Sequence, residues 1–126
     1  MRILIAMLMM CAVAQGAMAQ HKGTVKRGQT IQIFSWMYFD DNCRITSIPT
    51  IRALFNPKLG KLAYGTGKLK INRVVDTRQS NCIGKSREGR IVTYTAGSKA
   101  GVDKFTLARK RERGKDQHIQ FEITVR

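Results

Sequence analysis

Acidic residues are scarce in this sequence. Eight Asp plus Glu stand against 23 Lys plus Arg, a formal net charge of +15 over 126 residues. Calcium proteins hold their metal with oxygen ligands, mostly carboxylates, so the shortage argues against that class. Asp40, Asp41 and Asn42 are the one acidic stretch, and without a distant fourth ligand they read as a solvated loop. Histidine is limited to His21 and His118. Among the three cysteines no pair has Cys-x-x-Cys spacing, which removes zinc-ribbon and thioredoxin-like chemistry. No Gly-x-Ser-x-Gly elbow and no Gly-rich phosphate cradle occurs. After the first nineteen residues no apolar run is long enough to span a bilayer. No stretch holds a 3.6-residue apolar period for three turns, so little of the chain should be helical.

Enough remains for a packed core. At 43% hydrophobic and 25% charged, the composition is globular rather than disordered, and the length suits one domain. Arg2 is followed by an apolar run from Ile3 to Val13, then Gln15, Gly16, Ala17, Met18 and Ala19. A positive end, a short apolar stretch and small residues before a cut mark a secretory signal peptide, with cleavage expected after Ala19. Lipidation at Cys11 is disfavoured by the bulk of Met9 and Met10. The expected organisation is a leader over residues 1–19 and one domain over 20–126. That domain has 22 bases and 8 acids in 107 residues. Its only methionine is Met37, so a methionine-rich metal carrier is excluded. Cys43 and Cys82 remain, and in an exported chain the expectation is one disulfide.

Short β-branched and aromatic stretches recur between turn signals. The chain reads as all-β, with eight strands near 23–27, 30–36, 48–55, 61–64, 68–75, 90–95, 103–110 and 117–125, the spacing of a sandwich or barrel. Reversals are expected at Asn56 to Gly60, at Gly65, Thr66 and Gly67, in the loop from Ala96 to Gly101, and at Arg113 to Asp116. Alternation puts Phe105 and Leu107, with Ile119, Phe121, Ile123 and Val125, on faces that meet in the core. Their opposite faces are polar.

The order of these motifs resembles bacterial immunoglobulin-like domains of the cadherin-like type. The matching features are Pro57, Lys58, Leu59 and Gly60, the strand with Val92 and Tyr94, and the run Gly101, Val102, Asp103, Lys104, Phe105, Thr106, Leu107. The resemblance implies an immunoglobulin-like antiparallel β-sandwich of about seven to eight strands. Cys43 and Cys82 are similar to the paired cysteines of small exported single-domain members. In that family the residue matching Asp103 supports the preceding turn through backbone hydrogen bonds. No catalytic residue and no cofactor comes with the likeness, and the calcium bound between tandem domains is not expected here.

The main candidate site is the basic segment Arg109, Lys110, Arg111, Arg113 and Lys115. At a hairpin tip these side chains would dock phosphates, sulfates or an acidic protein, with Lys99 and Lys104 extending the patch. The bland reading is a loop kept soluble by charge. Phe34 and Trp36 read as core, and Tyr38 and Phe39 stand beyond the strand end. His21 and His118 with a lysine supply the groups of a small basic ribonuclease, the alternative class. The expectation is an exported, non-enzymatic binding or envelope module, periplasmic or extracellular. It would contact an anionic polymer (lipopolysaccharide, nucleic acid or glycan) or an acidic protein. A purely structural protein is the third reading.

Overall fold

A computed structural model describes residues 20–126. Nine strands are formed among them: β1 (Gln20–Val25), β2 (Thr30–Trp36), β3 (Tyr38–Phe39), β4 (Ile45–Ser47), β5 (Ile51–Phe55), β6 (Gly60–Lys70), β7 (Ser86–Ala96), β8 (Gly101–Arg109) and β9 (Gln117–Val125). A short 3₁₀ helix, Thr77–Cys82, interrupts the β6–β7 connection. The signal peptide expected over residues 1–19 lies outside the described residues. One sheet has the order β1-β9-β8-β5, the other β2-β7-β6, and β3 pairs with β4 alone. With β2, β7 and β6 in one layer and β5, β8 and β9 in the other, the strands divide as in an immunoglobulin sandwich. The first strand departs from all-antiparallel pairing, because β1 runs parallel to β9.

The alternation read from the last two strands sets the core. Phe105, Leu107, Ile119, Phe121, Ile123 and Val125 are buried and pack with Val92 and Tyr94 of the facing sheet. Tyr94, Phe105 and Phe121 stack in series, with ring centroids 5.6 Å and 5.2 Å apart. Offset stacking adds about 0.5–1.5 kcal/mol per pair to the burial of the rings. A second, smaller core holds Ile71 and the Cys43–Cys82 disulfide, with Met37, Phe39 and Val74 against it. The two half-cystines are 39 residues apart in sequence with Cα atoms 5.4 Å apart. Closing a loop of that length stabilises the fold by about 4 kcal/mol in the chain-entropy description.

Three expected breaks fall elsewhere. Gly65, Thr66 and Gly67 do not turn: they pair with Ile91, Arg90 and Gly89, making β6 one strand of 11 residues. Gly67 pairs with Gly89 inside the β6–β7 ladder, and a Cβ there would meet the tip of the Ile91 side chain, so the glycines lie within a strand and mark no turn. The segment 48–55 is strand only from Ile51, and Pro49, which is buried, has no N–H to give a ladder. Ile45–Ser47 turns back instead onto Tyr38–Phe39. The reversal at Asn56 to Gly60 exists but carries the chain from one sheet to the other rather than closing a hairpin.

Candidate functional site

The loops divide between the two ends of the sandwich. One end collects the connections over 26–29, 56–59 and 97–100, tied by Arg27 N to Arg126 O and Gly97 N to Leu59 O. The other end, the disulfide end, collects the segments 37–50, 71–85 and 110–116. Asp40 shapes the first of these: its Oδ1 accepts from the backbone N–H groups of Asn42 and Arg44, both at 2.9 Å. That tight loop places Cys43 at φ 63°, facing Cys82. Asp40 is therefore committed to the turn, as the loop reading of 40–42 expects. On the second segment, Asp76 caps the 3₁₀ helix. Hydrogen bonds from the Arg78 side chain and N–H hold its carboxyl below the usual carboxylate range.

Arg109, the first base of the candidate site, is buried at 6% exposure and does not project with its neighbours. Its guanidinium lies 4.0 Å from the centroid of Trp36 and 5.6 Å from that of Tyr38. Nε donates to Gln117 Oε1 at 2.9 Å. The two terminal nitrogens donate to Tyr38 Oη and to the same Gln117 oxygen. Tyr38 Oη in turn donates to Lys110 O at 2.8 Å. This buried cation faces two rings and neutral oxygens, which suits a planar guanidinium better than an ammonium. Arg109 is a clamp that joins β2–β3 to the root of the last hairpin, and it leaves the list of anion ligands.

The rest of the hairpin stands out as expected. Lys110, Arg111, Arg113 and Lys115 are exposed, and Gly114 at φ 85° turns the chain between them. Nearby acids are taken: Asp116 pairs with Arg52 at 2.8 Å, and Glu112 accepts from Thr46 Oγ1 at 3.1 Å. Among the described residues none of the four hairpin bases has a carboxylate oxygen within 4.0 Å. Lys99 does not extend this patch, because it lies before β8 at the opposite end. Nine strand residues separate the two, roughly 30 Å. Lys104 sits midway on the outer face of β8, opposite Glu122.

The same register separates the histidines. His21 is opposite inward-facing Phe121 and stacks on it at 5.1 Å. His118 has the other parity on β9 and points outward. Two histidines on opposite faces of one sheet cannot serve one scissile phosphate as acid and base. Asp103 does support a turn, and at longer range than the one before it. It is buried and accepts from Lys58 N at 2.8 Å, Leu59 N at 2.9 Å and Tyr94 Oη at 2.6 Å.

What sequence reasoning missed is the second basic stretch at this end, Lys70, Arg73 and Lys85, all exposed. The signal was the cysteine pair itself, which draws 71–85 against the loop at Cys43 and so brings these bases into the same end surface.

No family model matches the chain, and no curated protein matches it. Among solved structures, the solution structure of amebosin is similar at a TM-score of 0.45 and 12% identity, over 84% of this chain and 98% of that one. Similarity at that level carries no functional argument. Among the described residues no helix is long and apolar enough to cross a membrane.

Proposed function

We propose that the protein is an exported, non-enzymatic binding module of the immunoglobulin-like type that holds anionic polymers at its disulfide end. One observation carries this reading. Lys110, Arg111, Arg113 and Lys115 are presented without carboxylate partners on a hairpin fixed at its root by the Arg109, Trp36 and Tyr38 stack. A charge run serving only solubility needs no such fixing. Like charges crowded on a rigid loop repel one another, and an anionic ligand removes that cost. The disulfide suits an oxidising compartment.

The test is retention on heparin as a function of salt. Four phosphate-like or sulfate-like contacts give a slope of log affinity against log salt of roughly −3 to −4. Replacing Lys110, Arg111, Arg113 and Lys115 by Ser should abolish most of that slope. The urea midpoint should not fall, since these exposed side chains make no ion pairs and their removal relieves repulsion. Elution of the quadruple variant with the wild type would overturn the reading in favour of a structural envelope protein. RNA cleavage lost in His118→Ala would overturn it in favour of the nuclease.

A further inference from the structure

The ends of β6 and β7 bring a second set of bases to the same surface. Lys70 ends β6 opposite Ser86, and Ile71 N donates to Lys85 O at 2.8 Å, so Lys85, just before β7, stands opposite Ile71, the neighbour of Lys70, at the tip. Arg73 follows two residues after Ile71. These three side chains are exposed, and among the described residues none has a carboxylate oxygen within 4.0 Å.

The β3–β4 pair lies between this cluster and the hairpin, and contacts on both its sides fix the arrangement. On one side Cys43 is bonded to Cys82, Arg87 Nε donates to Cys43 O at 2.6 Å, and Gln79 Nε2 donates to Phe39 O at 2.9 Å. On the other, Tyr38 Oη donates to Lys110 O and Thr46 Oγ1 donates to Glu112. Crossing two strands and their flanking chains spans roughly 15 Å. Arg44, exposed at the β3–β4 turn, stands along that path.

We infer that the ligand of this end is a linear polyanionic glycan that lies across the β3–β4 pair and is held at two half-sites. One is the hairpin Lys110 to Lys115, and the other is Lys70, Arg73 and Lys85. The inference rests on the anion-binding reading above and adds to it the second half-site and the class of polymer. A single sulfate or phosphate fills one half-site only. A chain with charges at regular intervals reaches both, and its second engagement is intramolecular, so affinity rises steeply with chain length. A single-stranded nucleic acid fits less well, because it needs free aromatic faces on which bases stack. Here Trp36 is half-buried, with Phe34 stacked against it and the Arg109 guanidinium over its ring. The exposed large apolar side chains of this end are Val75 and Ile83, whereas Phe55 and Tyr64 belong to the strands.

Size-defined heparin oligosaccharides test this by titration calorimetry in about 50 mM NaCl, where phosphate and sulfate contacts are strong. The dodecasaccharide should bind at least about 100-fold tighter than the disaccharide, the gain expected from linked sites. The triple variant Lys70→Ser, Arg73→Ser, Lys85→Ser should lose at least about tenfold of the dodecasaccharide affinity and lower the salt slope by roughly 2 to 3. Its disaccharide affinity should fall much less, because the hairpin remains. All three side chains are exposed, and a urea midpoint no lower than that of the wild type identifies the loss as one of binding. Wild-type dodecasaccharide affinity in the triple variant, with loss in the hairpin variant, overturns the second half-site while the anion-binding reading stands. Unchanged binding in both variants overturns both. Tighter binding of a thymidylate oligomer than of a dodecasaccharide of equal charge overturns the assignment to a glycan.

Discussion

Asp103 shows how one buried charge joins three distant pieces of chain. Its carboxylate takes two backbone N–H groups from the β5–β6 crossover and the hydroxyl of Tyr94 from the facing sheet. Hydrogen bonds to a charged group stabilise by about 1.5–3 kcal/mol each, and loss of the acceptor orphans buried donors. The Tyr94 hydroxyl responds to the same surroundings, with its pKa raised by burial and then by the hydrogen bond and negative charge of Asp103. A tyrosine that ionises later in the folded state than in the unfolded chain binds more protons when folded. Stability therefore falls as pH rises above about 10, by up to about 1.4 kcal/mol per pH unit, and below that pH the contribution is fully present. Tyr94→Phe should cost about 1–3 kcal/mol at pH 7, the range for a lost buried hydrogen bond. That cost should shrink steadily above pH 10, because the Phe variant has no hydroxyl to titrate there. Urea midpoints of the two proteins at matched pH values measure the gap, and a constant gap would refute the assignment.

At the scale of elements, the last hairpin combines a clamp that was hidden in the sequence with a tip that was legible. Lys110 to Lys115 could be placed because Gly114 and the polar run between two alternating strands mark a turn on their own. Arg109 could not, because it has the charge of its neighbours. Its two rings come from β2 and β3, which are distant in sequence and meet Arg109 only in the folded sandwich. The core faces of β8 and β9 followed from period-2 alternation alone. The unbroken β6 did not, because the pairing of Gly65, Thr66 and Gly67 with Ile91, Arg90 and Gly89 is made across the sheet, where local sequence cannot report it. Likewise Lys70, Arg73 and Lys85 joined the candidate surface only through the pairing of Cys43 with Cys82. The clamp has a direct test. Arg109→Lys keeps the charge but loses planar stacking on Trp36 and the forked donation to Gln117 and Tyr38. It should lower stability by about 2 kcal/mol while heparin elution shifts far less than in the variant of Lys110, Arg111, Arg113 and Lys115. An exposed anion ligand would give the reverse, with stability within about 0.5 kcal/mol and earlier elution.

For the whole molecule, 22 bases and 8 acids in residues 20–126 make folding itself sensitive to ions. Several of the acids are engaged locally, with Asp40 and Asp103 on backbone N–H groups and Asp76 and Asp116 on arginines. Most of the basic charge is therefore balanced by solvent ions alone. Screening shortens the reach of that repulsion from about 20–30 Å in dilute buffer to about 3 Å in 1 M salt. Sodium chloride should thus raise the melting temperature, and a stabilisation of about 1 kcal/mol corresponds to about 4–8 °C in a domain of this size. A bound polyanion acts differently. It stabilises by mass action, about 2.7 kcal/mol at a hundred times its dissociation constant, and it does so at a concentration far too low to screen anything. The two effects should oppose each other. In dilute buffer a heparin dodecasaccharide should raise the melting temperature well above that of the free protein. As sodium chloride is added, the free protein should gain stability while the increment from the oligosaccharide shrinks towards zero, because salt weakens each of its contacts. An oligosaccharide increment that persists undiminished in 1 M salt would mean that the contacts are not ionic. A melting temperature of the free protein that falls with salt would mean that the basic excess is not what limits its stability.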